Sequence, residues 1–335
     1  MEKPFVTPAS MKCFVKMTNQ LGENTMRIMF MGTPDFAAHC LEKLIADGYE
    51  VCSVVTRADA KKDRGQKIKF SPVKEVALAN NLPVYQPLNL KEENFREILE
   101  KENPDLVVVV AYGRILPPYV LSHPKYGCIN VHASLLPKYR GSAPIQYAVA
   151  MGEQESGVTI MQMNEGLDTG DIISQSVFPI SDEDDFEAIH DRSYEVGGPL
   201  LVSTIADIEA GRATRTPQNE DGACYAAKIE KSDCKLDFTM PAAVLDPIIR
   251  GVTPIPGAFC YRAGKMLKIN RARPVKGKGA PGEVIAVDPK GDGSFTVACG
   301  EGALLVTSVI PEGKGKMSAG DLLRGRRLAL GDVLD

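Results

Sequence analysis

Tryptophan is absent from this chain, and histidine occurs only four times. The eight cysteines are scattered (13, 40, 52, 128, 224, 234, 260 and 299), with no Cys-x-x-Cys pair and no histidine at zinc-like spacing. No metal is therefore expected. Several of these cysteines, Cys52 and Cys128 among them, sit in apolar runs and read as buried free thiols of a reducing, cytoplasmic compartment. No apolar run approaches the ~20 residues that cross a bilayer, so no membrane partner is expected. Residues 1–25 lack a continuous apolar segment with a cleavage site, which speaks against a secretory signal. Met26 directly precedes the first strand, and residues 1–25 are expected to be a disordered extension or an over-extended gene start. A dinucleotide loop is missing too. Where Gly-x-Gly-x-x-Gly would follow the first strand, the chain has Gly32-Thr33-Pro34, with one glycine and a proline that offers no amide donor.

With 335 residues, 44% of them hydrophobic, the chain can bury two domain cores. The net charge of −4 is unevenly spread. Residues 1–210 hold 20 Lys and Arg against 29 Asp and Glu, whereas residues 211–335 hold 19 against 14. An acidic half joined to a basic one suggests that one module meets a polyanion, although a small basic domain can also simply be soluble.

Strand and helix patterns alternate through the first two thirds. Strands are expected at 27–31, 50–56, 106–111 and 128–132, with a strand pair at 157–163 and 171–177. Helices are expected at 34–47, 71–80, 94–102, 143–151 and 185–210, the second opened by Ser71 as N-cap and Pro72 at the first position. This is an α/β pattern, a doubly wound, mostly parallel Rossmann-like sheet. The stretch 57–70 reads as a polar loop. Residues 211–223 are polar and read as a linker. Beyond them, a helix near 242–250 and about five short strands suit a small, partly open β-barrel. The expected domains are 26–210 and 224–335.

The 128–132 strand ends in Asn130-Val131-His132. Alone, such an asparagine reads as a turn former and such a histidine as structural. At i and i+2 they share a strand face, at the end where open α/β sheets place ligands. Asp168 follows on the Gly-flanked loop Gly166-Leu167-Asp168-Thr169-Gly170. An amide donor, an imidazole and a carboxylate suit acyl transfer, in which an oxyanion forms and protons move. His39, His123 and His190 lie elsewhere and read as packing or surface residues.

The run from Asn130 through Ala133-Ser134-Leu135-Leu136-Pro137-Lys138-Tyr139-Arg140-Gly141 to Pro144 resembles the signature of the folate-dependent formyltransferases. Met31-Gly32-Thr33-Pro34-Asp35-Phe36, Asp63-Arg64-Gly65-Gln66-Lys67, Ser71-Pro72-Val73-Lys74, Val109-Val110-Ala111-Tyr112-Gly113 and Lys316-Met317-Ser318-Ala319-Gly320-Asp321 support it. The resemblance implies catalytic roles for Asn130, His132 and Asp168. It implies 10-formyltetrahydrofolate as donor, bound between Ile115-Leu116 and Ser134-Leu135-Leu136-Pro137, and an OB-like C-terminal domain. The acceptor would be the α-amine of charged initiator tRNA, methionyl-tRNA, attacking directly through a tetrahedral intermediate for translation initiation. Asp168 would pair with His132. The basic stretch 57–69 would meet tRNA through Lys61, Lys62, Arg64 and Lys67, while Lys138 and Arg140 could serve the folate's glutamate tail or an RNA phosphate. A monomer is expected. Open alternatives are an amino-sugar nucleotide acceptor, a hydrolase releasing formate, and a non-catalytic RNA-binding protein. One departure is Thr253-Pro254-Ile255-Pro256-Gly257, where the family often has tryptophan between the prolines. Ile255 is expected to fill part of that space.

Overall fold

The computed structural model describes residues 26–62, 67–91 and 93–335. The expectation for residues 1–25 lies outside them. The chain divides into two compact units. One runs to Val131 and includes Gln162–Glu165 and Leu201–Thr214, and the other holds His132–Met161, Gly166–Leu200 and Arg215–Asp335.

The first unit contains β1 (Arg27–Gly32), α1 (Asp35–Ala46), β2 (Glu50–Val55), β3 (Ala60–Lys62), β4 (Lys67–Lys69), α2 (Pro72–Ala79), β5 (Val84–Tyr85), α3 (Glu93–Glu102), β6 (Leu106–Val110) and α4 (Pro118–Ser122), then all but the last residue of β7 (Cys128–His132). Strands β7, β6, β1, β2 and β5 lie side by side in that order, all parallel. The chain leaves β1 toward β2 on one side and returns to β6 on the other, so the order reverses between β1 and β6. A Cβ on Gly32 at the end of β1 would come within 2.8 Å of the Val110 carbonyl and 2.6 Å of Ala37, so only glycine fits there. All five residues of β6 are buried, as expected for a strand covered on both faces. Met29, Met31, Val107 and Val109 pack against Phe95 and Leu99 of α3 and Val120 of α4. Ser71 caps α2 by accepting the Lys74 N–H at 3.1 Å, with Pro72 at its first position.

The stretch expected as a polar loop holds a two-stranded hairpin, Ala60 facing Lys69, Lys61 facing Ile68 and Lys62 facing Lys67. Main-chain pairing supplies its order, and polar side chains give no sign of that in advance.

The second unit adds β8 (Arg140–Gly141), α5 (Pro144–Ala150), β9 (Glu155–Gln162, its last residue in the first unit), β10 (Ile172–Pro179), α6 (Phe186–Glu209, from Leu201 on in the first unit), β11 (Tyr225–Ala226), α7 (Ala242–Val252), β12 (Phe259–Arg262), β13 (Lys265–Val275), β14 (Val284–Asp288), β15 (Ser294–Ala298), β16 (Ala303–Pro311), β17 (Met317–Ser318) and α8 (Ala319–Arg324). β9 and β10 form an antiparallel hairpin. The last strands make one antiparallel sheet, β12-β13-β16-β15-β14, with β17 on β16. Leu245 and Ile249 of α7 close its core with Leu267, Phe295, Val297 and Leu322. Strand β17 and helix α8 exceed the expected five strands and one helix. They are too short to show a period, though Ser318 caps α8 by accepting the Asp321 N–H. Helices α5 and α7 meet closely, since a Cβ on Gly251 would come within 2.7 Å of the Gln146 carbonyl. Ile255 is 72% exposed and fills no interior space, contrary to expectation. No helix among the described residues is long and apolar enough to cross a membrane.

Candidate active site

His132, the last residue of β7, is 6% exposed, and its Nε2 lies 2.9 Å from the Tyr139 carbonyl oxygen. A carbonyl only accepts, so Nε2 carries the hydrogen and Nδ1 of the neutral ring holds the lone pair. Nδ1 is 3.8 Å from Asp168 Oδ2, within ion-pair range. The structure thus brings together two of the three expected catalytic side chains. Asn130 lies two residues back on the same strand, 9% exposed. Strand alternation turns it to the face of His132. Asp168 sits at φ 54°, uncommon for a residue with a Cβ. Its loop is held from outside.

The three residues after the β7 turn do much of that holding. Tyr139, at φ 61°, aims its carbonyl at His132. The Gly141 N–H donates to Asp168 Oδ2 at 2.8 Å. A Cβ on Gly141 would meet the Ala226 carbonyl of the paired strand β11 at 2.6 Å. Arg140 is 1% exposed. It donates to Gln218 Oε1 from Nε (3.0 Å) and Nη2 (2.9 Å), and to both oxygens of Glu220 at 3.0 and 2.8 Å. This corrects the expectation for Arg140, because a buried guanidinium with these partners has no face for a folate tail or a phosphate. Lys138 is half exposed and paired with Glu153 at 3.0 Å.

The residues expected around folate divide by burial. Ser134 and Leu136 are buried, and Thr159 ties their main chain by donating to the Ser134 carbonyl at 2.6 Å and accepting from the Leu136 N–H at 3.2 Å. Leu116 is 3% exposed within the first unit's core. Ile115, by contrast, is 80% exposed, the kind of apolar surface that a flat heterocycle covers. A cavity of about 260 Å³ opens beside Leu135 and Pro137. Lys138, paired with Glu153, and Glu155 line it and His132 does not, so it lies apart from the acid/base pair. No cluster of His, Cys, Asp or Glu that could hold a metal occurs among the described residues.

Of the expected tRNA contacts, Lys61 and Lys62 lie on β3 and Lys67 on β4, while Arg64 lies outside the described residues. Sequence reasoning missed Gln218, which donates to the Asp168 and Gly170 carbonyls at 2.8 and 2.7 Å from fifty positions away. No local pattern marks such a residue.

Residues 26–205 match the family model described as formyl transferase, and residues 228–327 match formyl transferase, C-terminal domain. The methionyl-tRNA formyltransferase of Pelotomaculum thermopropionicum is 46% identical over 312 residues, covering 92% of this chain and 98% of that protein. That of Lachnospira eligens is 45% identical over 316 residues, covering 92% and 99%. Among solved structures, HypX from Aquifex aeolicus in complex with tetrahydrofolic acid shares the fold at 20% identity with a TM-score of 0.63. This chain, 92% of it aligned, spans about half (48%) of that one. The sugar 3N-formyltransferase WlaRD also shares the fold, at 19% identity and TM-score 0.63, covering 88% of this chain and 100% of its own. With both family models matched and relatives 45–46% identical over 92% of the chain, the chain belongs to the methionyl-tRNA formyltransferase family.

Proposed function

We propose that this chain transfers the formyl group of 10-formyltetrahydrofolate to the α-amino group of methionyl initiator tRNA. The observation that carries the chemistry is the end of β7, where His132 holds its Nδ1 3.8 Å from Asp168 with the opposite nitrogen tied to a carbonyl. That arrangement orients the ring for acid/base work. Asn130 is buried, polar and on the same strand face, which fits a donor to a carbonyl oxygen that gains negative charge. When bound, the folate donor supplies the formyl carbon, and its nitrogen accepts the proton that the attacking amine loses. His132 Nδ1 would hold that proton in passing, and Asp168 would stabilise the imidazolium. Ile115, Leu135 and Pro137 would supply the pterin's apolar contacts, with Leu116, Ser134 and Leu136 shaping the main chain beneath. No metal is required in this scheme.

The acceptor is inferred from the relatives' identity and from charge. Lys61, Lys62, Arg64 and Lys67 would meet phosphate of the tRNA, as would the basic region 224–335. In this reading residues 26–210 form the catalytic domain and 211–223 the connection, and the protein works as a cytoplasmic monomer without membrane contact. The test mixes purified protein and formyl-folate with either charged initiator tRNA or a UDP-amino sugar. Formylated methionine should appear, and formylated sugar should not. The reverse result would transfer the same chemistry to a different acceptor.

A further inference from the structure

The polar stretch after α6 contains a side chain aimed back at the acid/base pair. Gln218 Nε2 donates to two carbonyls of one loop, Asp168 and Gly170, while its Oε1 accepts twice from Arg140. Only a primary amide donates twice at one end and accepts twice at the other. Arg140 is in turn fixed by Glu220. The clamped residue, Asp168, holds a left-handed backbone conformation, uncommon for a residue with a Cβ.

We propose that Gln218 is a positioning residue for formyl transfer, clamping the main chain of Asp168 so that its carboxylate stays at Nδ1 of His132. This rests on the acid/base reading of that pair. The Gly141 N–H fixes the carboxylate and Gln218 fixes the backbone behind it. With the backbone clamp removed, the φ 54° turn can relax and carry the carboxylate away from the imidazole. A displacement of about 1 Å at such a site costs up to ~10²-fold in rate. Residues 218–226 therefore complete the active site as well as connecting the sequence on either side.

Two variants test this in the full-length protein, with 10-formyltetrahydrofolate and charged initiator tRNA as substrates. Gln218→Met keeps the size and loses the donors and the acceptor. Gln218→Glu keeps an acceptor for Arg140, loses both donors, and serves if the methionine variant fails to fold. Each should lower kcat by roughly 10- to 100-fold, with KM for both substrates within about twofold. In an Asp168→Asn background the same substitution should cost nothing further, because Gln218 acts through Asp168. Unchanged kcat in a folded variant, or losses that multiply with Asp168→Asn, would overturn the inference while leaving the acid/base pair intact. Full activity of Asp168→Asn alone would instead overturn the reading of the pair, and this inference with it.

Discussion

After β2 the chain carries Arg57, Lys61, Lys62, Arg64, Lys67 and Lys69, and after β7 it carries Lys138 and Arg140. Both stretches leave the C-terminal end of a parallel strand. The first is fixed at its root. Lys74 Nζ reaches Asp59 at 2.5 Å, Gln86 donates to the Arg57 carbonyl at 2.7 Å and to Asp59 at 2.9 Å, and Arg57 donates to the Gly113 carbonyl at 3.1 Å. Beyond that root, main-chain pairing orders a hairpin rich in lysine. The second stretch is bonded throughout, with Tyr139, Arg140 and Gly141 each engaged in holding His132 or the Asp168 loop. Arg57, the arginine at the root of the first stretch, is exposed. The arginine in the second is part of the internal framework. Charge in a sequence does not separate these roles; burial does.

The largest effect should come from removing the chemistry at the end of β7. His132→Ala is expected to lower turnover by roughly 10²–10⁴, as for a general acid/base. Circular dichroism and thermal melting should show an intact fold. Near-normal turnover would remove His132 from the mechanism and leave this stretch a purely structural device.

Next is the framework itself. Arg140→Ala leaves the Gln218 Oε1 without its two donors, while Glu220, 72% exposed, returns to water, so the loss is that of an unsatisfied acceptor, about 1–3 kcal/mol. Urea unfolding should show that loss as a lower midpoint. A change under about 1 kcal/mol would mean that Arg140 is more solvated than its 1% exposure implies.

Much of the fold was legible because its signals are local. The Ser71-Pro72 start of α2, the valine run of β6 and the Asn130–His132 spacing each lie within a few residues. The bounds expected for the strand that became β7 agree with those observed, 128–132. What escaped was set by distance or by the main chain. Gln218 reaches Asp168 across fifty positions, and Arg140 reaches Glu220 across eighty. The hairpin of β3 and β4 depends on backbone pairing, and Leu116 and Leu136 turned inward where apolar contact with a ligand was expected. A practical consequence concerns Leu136→Asp as a probe of folate affinity. It would bury a carboxylate and report on folding, whereas Ile115→Asp, at an exposed position, would report on binding.

The hairpin should give a smaller, graded effect. Each of Lys61, Lys62, Arg64 and Lys67 changed to Ala should raise KM for tRNA and leave KM for the folate donor unchanged. For every phosphate no longer neutralised, the slope of log affinity against log salt should fall by about 0.7–0.9. A slope insensitive to all four would return tRNA binding to the basic region 224–335 alone.

The smallest effect should come from Lys138→Ala, and it sharpens the contrast with Arg140 two residues away. Lys138 is half exposed and its partner Glu153 is a quarter exposed, so their ion pair is screened by solvent. Such pairs contribute about 0–1 kcal/mol. Glu153 also accepts from the Tyr139 hydroxyl at 2.7 Å, which keeps the carboxylate anchored when the lysine is gone. Burial pushes the Glu153 carboxyl up, but the hydrogen bonds from Tyr139 and Lys138 outweigh it and hold the group below the usual glutamate range. A depressed carboxyl stabilises the fold above its unfolded pKa, and that stability is lost as pH falls through the folded value. The difference between wild type and Lys138→Ala should therefore be present at neutral pH and vanish as Glu153 protonates in acid. Unfolding midpoints measured across that range would show the two curves converging. If they stayed parallel, the lysine's contribution would come from packing of its aliphatic stem rather than from charge.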